Sequence, residues 1–185
     1  MGRRLAILFI ATLAASCAQP PVAPPGPATD TATLLFKSQG EAMNVAFHTS
    51  SEAQPCAGLT RTANVYDAVL LQQNLLPAMA TMIRKTQAWL KVYPAVELKV
   101  KGGMPFQVLG SSNWSGTGAG VTTYGKCGPL TLRFTPHAGR SYLVLFKFTG
   151  NGCTQSVQDT TDAHDPSAGV AVETTPLHCT RPVFS

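Results

Sequence analysis

The sequence predicts a mainly β domain, built as an antiparallel β-sandwich with one amphipathic helix and two disulfides. Of its 185 residues only 12% are charged and 44% are hydrophobic, with 16 glycines and 14 prolines. This composition favours strands and turns over long helices. Between Cys127 and Asp159 apolar and polar residues alternate with a period of two, as in strands with one buried face. The third observation is an even set of four cysteines downstream of an export signal, which predicts two disulfides: Cys56, Cys127, Cys153 and Cys179.

The first 16 residues have the layout of a secretory signal peptide. Arg3 and Arg4 precede an apolar run from Leu5 to Ala15 and then small residues. The apolar run is too short to span a bilayer, and its flanks are those of a cleaved leader. We therefore expect residues 1–16 to be a signal peptide and the protein to be exported.

The segment from Leu13 to Cys17, LAASC, resembles the lipobox of bacterial lipoprotein precursors. The resemblance implies that the leader is cut before Cys17, whose sulfur carries a diacylglyceryl group and whose new amino group is acylated. Several acyl chains, at about 0.8 kcal/mol per buried methylene, make a stable bilayer anchor. The residue after the cysteine is Ala18 rather than the aspartate associated with inner-membrane retention, which implies the periplasmic side of the outer membrane. The alternative is an ordinary secreted protein with a free Cys17.

The segment that follows is predicted to be a tether. Residues 18–30 contain five prolines and one larger apolar residue, Val22, so they have little with which to build a core. A proline-rich chain extends by about 3.1 Å per residue, which allows a reach of about 40 Å from the bilayer. We expect residues 17–30 to be a lipidated tether and residues 31–185 to be the β-sandwich domain.

The first half of the domain is predicted to contain short strands and one helix. Leu34 with Phe36, and then the run from Met43 to Phe47, have strand periodicity, whereas the apolar run from Val65 to Leu71 fits a strand or a helix. Residues 75–91 have apolar side chains at helical spacing and predict an amphipathic helix whose stripe packs on the core. A partner groove lined by the methionines is the alternative. The stripe comprises Leu75, Leu76, Met79, Met82, Ile83 and Leu90.

The next segment predicts a hairpin followed by a mobile loop. The alternation from Val96 to Val100, the pair Gly102-Gly103 and the return through Phe106 and Val108 are typical of a hairpin. Residues 110–120 are rich in glycine and serine, which indicates a loop.

Two aromatic residues are the best binding candidates near this loop. Trp114 lies within it and Tyr124 follows it. A ring on a flexible loop can stack on a sugar or on a partner's side chain. The alternative is that Trp114 folds back onto the edge of the sandwich.

The central segment predicts three strands, over residues 130–135, 141–149 and 153–159. Asn151-Gly152 is a favourable pair for a two-residue turn, which would place Phe148 opposite Gln155 and turn Cys153 toward the side of Phe148. Val170 and Val172 predict a last strand after a polar loop.

The corner from Phe134 to Val144, with Pro136, Gly139 and Tyr142, resembles the one before the penultimate strand of immunoglobulin-like sandwiches. In that family a tyrosine hydroxyl bonds back across the corner. The resemblance implies that the three central strands are the last three of the fold. A transthyretin-like sandwich, of the kind found in secretion-system lipoproteins, would have the same periodicity.

The four domain cysteines allow three disulfide connectivities. A bridge from Cys153 to Cys179 would close the nearer loop, which spans 26 residues (179 minus 153). That choice leaves Cys56 to pair with Cys127. We expect this connectivity.

The charge distribution bears on the choice of partner. The formal net charge is +5, and nine basic residues lie between Arg84 and Lys147 against the single acid Glu97. A basic surface attracts anionic polymers such as lipopolysaccharide or nucleic acid, but these residues alternate with apolar ones as on a solvated strand face. No basic run interleaved with stacking aromatic residues is present, so we expect no nucleic-acid partner.

The sequence contains no catalytic motif of the serine-elbow, SxxK, HExxH or phosphate-loop type. We therefore expect a non-enzymatic cell-envelope module, without cofactor or metal, that presents Trp114, Tyr124 and His137 to a protein or glycan. One alternative is an assembly factor of an envelope secretion machine, which would bind through residues 110–120 or 75–91. The other is an enzyme or metal protein with a site assembled from distant residues, of which the best group is His137, Asp162, His164 and Asp165.

Overall fold

Ten strands form two packed five-stranded sheets in the computed structural model, which describes residues 30–41, 43–66, 85, 93–118, 120–150, 152–165 and 168–179. The strand order is β4-β1-β7-β8-β9 in the first sheet and β10-β6-β5-β2-β3 in the second. The predicted mainly β sandwich is confirmed. The strands are β1 (Thr31–Gln39), β2 (Asn44–Ser50), β3 (Thr60–Tyr66), β4 (Ala95–Lys101), β5 (Phe106–Gly118), β6 (Val121–Phe134), β7 (Ser141–Phe148), β8 (Cys153–Asp159), β9 (Val170–Ala171) and β10 (Thr175–Leu177).

The core lies between the sheets and is filled by alternate residues of their strands. Phe36 of β1 and Phe146 of β7 point inward from the first sheet, and Phe47 of β2 points inward from the second; all three are fully buried. The ring centroid of Phe47 is 5.0 Å from that of Phe36 and 6.4 Å from that of Phe146. Burying one such side chain contributes about 1.5–3 kcal/mol. Period-two alternation therefore identified the inward faces correctly.

One pair of strands departs from the predicted antiparallel arrangement. β1 pairs with β7 in parallel, with Leu35 opposite Leu143, and with β4 in antiparallel. Parallel neighbours need a long connection, and here the chain between β1 and β7 passes through the second sheet. The expectation of a wholly antiparallel sandwich was wrong at this pair.

The predicted hairpin at Gly102-Gly103 was also wrong. β4 belongs to the first sheet and β5 to the second, so the connection crosses between sheets instead of reversing within one. The Gly102 N–H donates to the carbonyl of Asp30 at 2.7 Å, and the Gly103 N–H donates to that of Pro136 at 2.7 Å. An added Cβ at Gly102 would lie 2.6 Å from the Cα of Ala138. The glycines therefore allow a close approach to another corner.

The central segment forms the predicted strands but divides them between the sheets. β6 lies in the second sheet, while β7 and β8 form a hairpin in the first. Phe148 lies opposite Cys153, two residues from the predicted register, because the connection spans residues 149–152 and the Thr149 N–H donates to the Gly152 carbonyl at 2.9 Å. A shift of two residues preserves the face, so the predicted side of Cys153 is correct. β9 and β10 follow, so the three central strands are not the last three.

Several predicted segments lie outside the described residues. These are the signal peptide 1–16, the tether 17–30 except for Asp30, and the amphipathic helix 75–91 except for Lys85. Within the described residues, no helix is long and apolar enough to cross a membrane.

Two disulfides are present, with a connectivity different from the predicted one. Cys127 of β6 is bonded to Cys153 of β8, with 6.0 Å between their Cα atoms, and Cys56 is bonded to Cys179, with 5.4 Å. The Cys127–Cys153 bridge also separates its partners by 26 residues, so spacing did not distinguish it from the predicted Cys153–Cys179 pair. The sheets decided the pairing, because Cys127 faces the end of β8 across the sandwich.

The loop over residues 51–59 is held to the second sheet by the buried amide of Gln107. Its Nε2 donates to the carbonyls of Glu52 and Gln54, each at 2.8 Å. Its Oε1 accepts from the Cys56 N–H at 2.7 Å. The side chain is fully buried, so these three bonds give a buried polar group its partners and position Cys56 for its disulfide.

Candidate functional site

The strands β5 and β6 continue past the rest of the second sheet as a two-stranded ribbon. Their pairing extends from Asn113 opposite Lys126 to Gly118 opposite Val121. Pairing of β5 with β2 ends at Ser112, and β10 pairs with β6 only over residues 131–133. We call residues 113–126 the β-ribbon. Its six residue pairs extend about 20 Å, at about 3.4 Å per residue.

The β-ribbon replaces the mobile loop predicted over residues 110–120, and that prediction was wrong. Residues 106–118 belong to β5 and residues 121–134 to β6. Strands pair through their backbones and need no apolar side chains for this. The ribbon therefore has no alternation of apolar and polar residues by which its strands could be recognised in the sequence. Ser112 fixes the base, because its hydroxyl donates to the Asn44 carbonyl at 2.7 Å.

Trp114 lies across the backbone of Gly125, its partner on the other strand. An added Cβ at Gly125 would overlap the indole, so the glycine makes room for the ring. The side chain remains 36% exposed. Trp114 therefore packs on its own ribbon and still presents part of its ring to solvent.

Tyr124 and Val121 complete the exposed apolar surface of the β-ribbon. Tyr124 is 82% exposed and Val121 is 63% exposed. Paired residues share a face and successive residues alternate, so Val121 lies on the face of Trp114 and Tyr124 on the opposite face. The two aromatic residues are close in the chain but point to opposite sides.

A substitution at Gly125 tests the packing of Trp114. In a Trp89→Phe background, Gly125→Val should displace the indole toward water and shift Trp114 emission to longer wavelength. Global stability should change by less than about 1 kcal/mol, because the ribbon lies outside the core. Fluorescence and urea unfolding measure the two quantities, with Lys126→Val on the opposite face as the control. Unchanged emission in Gly125→Val would contradict this packing.

The third binding candidate, His137, lies at the corner between β6 and β7. Its N–H donates to the Tyr142 hydroxyl at 2.9 Å, which is the hydrogen bond predicted for this corner. Its side chain is exposed. It lines a cleft of about 440 Å³ together with Arg140, Tyr142, Asp159 and Asp162, over small apolar residues of 163–172.

Ion pairing and hydrogen bonding stabilise the cleft. Arg140 Nη1 donates to Asp159 Oδ2 at 2.8 Å, and Arg140 Nη2 lies 3.7 Å from Asp162 Oδ2. Asp159 Oδ1 accepts from both the N–H and the hydroxyl of Thr161. Burial alone would raise the pKa of Asp159, but the bonds from Thr161 and the charge of Arg140 outweigh it, so the pKa is lowered.

Replacing Asp159 should therefore have a pH-dependent effect on stability. A carboxyl group with a lowered pKa in the folded state stabilises above its ordinary pKa of 3.8, and this contribution is lost as pH falls through the folded pKa. Asp159→Asn should lower the free energy of unfolding by about 1 kcal/mol at pH 7. The difference from wild type should shrink below pH 3.8. Urea unfolding at a series of pH values measures it, and a difference that grew toward acid would contradict the sign.

The sequence analysis names His137, Asp162, His164 and Asp165 as the best group for a metal or catalytic site, and the cleft contains only part of this group. It brings His137 near Asp162, while His164 and Asp165 are not among its lining residues. Within the described part of the chain, no three His, Cys, Asp or Glu side chains are grouped so as to hold a metal ion.

The β-ribbon and the His137 corner lie at opposite ends of β6. Gly125 and Phe134 are nine positions apart along β6 (134 minus 125), which corresponds to about 30 Å. Trp114 and Tyr124 therefore do not form one binding site with His137. The three residues expected to be presented to a partner lie in two separate places. The corner instead adjoins the start of β1, because the Gly139 N–H donates to the Thr31 carbonyl at 2.8 Å.

No protein-family model matches the chain, and no curated protein sequence is significantly similar to it.

Proposed function

We propose that this chain is a lipid-anchored envelope protein that binds a protein or glycan partner through the β-ribbon. The observation that carries the proposal is the extension of residues 113–126 beyond the sheet with Trp114, Val121 and Tyr124 exposed. In the sequence of the ribbon, the two aromatic residues are interspersed with serine, threonine, glycine and asparagine. Rigid aromatic rings among small polar residues are the composition of binding surfaces that adapt their hydrogen bonds to a partner.

The position of the ribbon relative to the predicted anchor supports this function. β1 begins at Thr31 beside the His137 corner, and the β-ribbon lies at the other end of the sandwich. A tether ending at Asp30 therefore places the His137 corner toward the membrane anchor and leaves the ribbon accessible to a partner. Lipidation of Cys17 and location at the outer membrane remain part of the proposal.

The anchor is tested by labelling cells with palmitate and separating membranes from the soluble periplasmic fraction. Label in the wild-type protein and none in Cys17→Ser, with the variant moving to the soluble fraction, is the expected result. An unlabelled wild-type protein, together with an unchanged distribution of Cys17→Ser, would refute the anchor.

The binding surface is tested by crosslinking in intact envelopes followed by capture of this protein. Trp114→Ala/Tyr124→Ala should lose the crosslinked partner while retaining the wild-type unfolding midpoint. Met104→Ala/Val170→Ala, which removes two exposed apolar side chains elsewhere, is the matched control. Equal crosslinking by all three proteins would refute a binding role of the ribbon. An accessory role in an envelope secretion machine is the narrower version, in which the partner belongs to that machine.

Two finer features of the fold are also proposed. The hydrogen bond between Tyr142 and the backbone of His137 supports an immunoglobulin-like corner. The second feature is an amphipathic helix over residues 75–91. Leu109 is fully buried on the outward face of the second sheet, and the apolar stripe of such a helix would cover it. Amide hydrogen exchange tests the helix: protection from Met79 to Leu90 is expected, and full exchange there would refute it.

A further inference from the structure

The outward face of the first sheet collects lysines from three strands. Side chains at alternate positions point away from the core, and those of β1, β4 and β7 include four lysines and one carboxylate, Glu97. We call this surface the lysine face. Its lysines are Lys37, Lys99, Lys101 and Lys147.

The lysines lie in two groups at two ends of the face, and Glu97 lies between the groups on β4, opposite Leu35. Lys99 and Lys101 lie on the edge strand β4, near the start of β1, where they pair with Thr33 and Thr31. Lys37 and Lys147 lie toward the other end, because Lys37 pairs with Leu145 and Lys147 pairs with Gln39. Successive outward positions on a strand are about 7 Å apart and neighbouring strands about 4.8 Å apart. The four ammonium groups are therefore distributed over a plane instead of converging on a point.

The middle of the face is apolar. Leu35 lies directly opposite Leu143, and Leu145 follows on the same side of β7. Leu35 and Leu145 are partly exposed, and Leu143 is 4% exposed. An apolar centre bordered by polar and charged side chains is the usual organisation of a protein–protein interface.

The positive charge of this face is not neutralised by ion pairs with described residues. The ion pairs among those residues all involve Arg140, and the four lysines take part in none. Four lysines and one glutamate give the face a formal charge of +3 (four minus one). Such a surface attracts an anionic partner and repels a second copy of itself.

The shape of the lysine face selects among anionic partners. The large apolar side chains that protrude from the described surface do not lie on this face: they are Tyr93, Met104, Trp114, Val121, Tyr124 and Val170. An interfacial membrane contact gains from apolar groups that enter the bilayer, and a glycan site gains from an exposed ring. Leucine side chains that do not protrude from the sheet are instead suited to burial against another flat protein surface.

We propose that the lysine face binds an acidic protein surface. The lysines pair with its carboxylates, and the partly exposed Leu35 and Leu145 are covered at the centre. Four strands of about seven residues (β1, β4, β7 and β8), at about 4.8 Å per strand and about 3.4 Å per residue, together with the short β9, give about 500 Å². This is more than half of the roughly 800 Å² that each partner contributes to a standard interface. The β-ribbon is not involved, so the inference does not depend on the proposed function.

The test measures binding of the full chain carrying Cys17→Ser to fluorescent poly-L-glutamate, an acidic polypeptide, by anisotropy. Lys99→Glu/Lys147→Glu should weaken binding at least about tenfold, because two attractive contacts become repulsive. The matched control is Arg61→Glu/Lys126→Glu, which changes the net charge equally at exposed residues of the second sheet. Binding by this control should fall less than about threefold, and Lys99→Arg/Lys147→Arg should bind as wild type.

Two outcomes would overturn the proposal. One is equal weakening by both charge-reversed variants, which would indicate a general effect of net charge. The other is binding that depends on Lys99 and Lys147 to phosphatidylglycerol vesicles or to polygalacturonate but not to poly-L-glutamate. Matching unfolding midpoints for all variants show that a loss of binding is not a loss of folding.

Discussion

Phe47→Ala should reduce the free energy of unfolding by about 3–5 kcal/mol, the range measured for buried phenylalanine truncations. Phe47 projects from the second sheet and is fully buried against Phe36 and Phe146 of the first. Opposite it on β5 is Gly110, where an added Cβ would lie 3.2 Å from the ring. Truncation would therefore leave a cavity between the sheets at a place where no neighbouring side chain on β5 can fill it.

Urea unfolding monitored by circular dichroism measures this loss. Thr154→Ala, at an exposed position on β8, is the control and should change stability by less than about 0.5 kcal/mol. A loss below about 1 kcal/mol in Phe47→Ala would mean that the ring does not join the two sheets as described.

Removing the Cys56–Cys179 bridge should lower the free energy of unfolding by about 4–5 kcal/mol. Its partners are 123 residues apart, and with the inner Cys127–Cys153 bridge intact the closed loop still contains about 100 residues. In the chain-entropy account a bridge restricts the unfolded chain more when it closes a longer loop. The loss should therefore lie at the upper end of the usual range.

The comparison that checks this uses Cys56→Ala/Cys179→Ala and Cys127→Ala/Cys153→Ala under oxidising conditions. The second variant opens a loop of 26 residues and should lose about 3–4 kcal/mol, about 1 kcal/mol less than the first. Non-reducing peptide mapping confirms that the remaining bridge is native. The reverse order of stability would contradict the assignment of the larger effect to Cys56–Cys179.

Much of the core was predictable because alternation is a local signal. Leu34 and Phe36 in β1, and Val144 and Phe146 in β7, face the core as their spacing predicts. The hydrogen bond at Tyr142 was implied by the resemblance of residues 134–144 to the corner of immunoglobulin-like sandwiches. These features depend on residues that are neighbours in the chain.

The placement of strands was not predictable, because the strongest turn signals allow more than one connection. Gly102-Gly103 fits a hairpin and also a crossing between sheets, and the contact with Ala138 that decides between them is distant in sequence. The disulfide connectivity had the same ambiguity, since two of the candidate loops were equally long.

The candidate sites were predicted only in part. Trp114, Tyr124 and His137 were identified as exposed residues of interest, but the β-ribbon has no apolar alternation that would reveal its strands. The lysine face needed the parallel pairing of β1 with β7, which brings Lys37 near Lys147 across more than 100 positions of sequence. The cluster of basic residues was visible in the sequence, whereas its concentration on one side of one sheet was not.

The most direct test of the central claim compares two sites of a photoreactive amino acid in intact envelopes. With the probe at Tyr124, on the β-ribbon, we expect a crosslinked product that disappears when Trp114→Ala is added. With the probe at His137, on the corner beside the start of β1, we expect no such product. A product at His137 and none at Tyr124 would contradict the claim that this protein binds its partner through the ribbon.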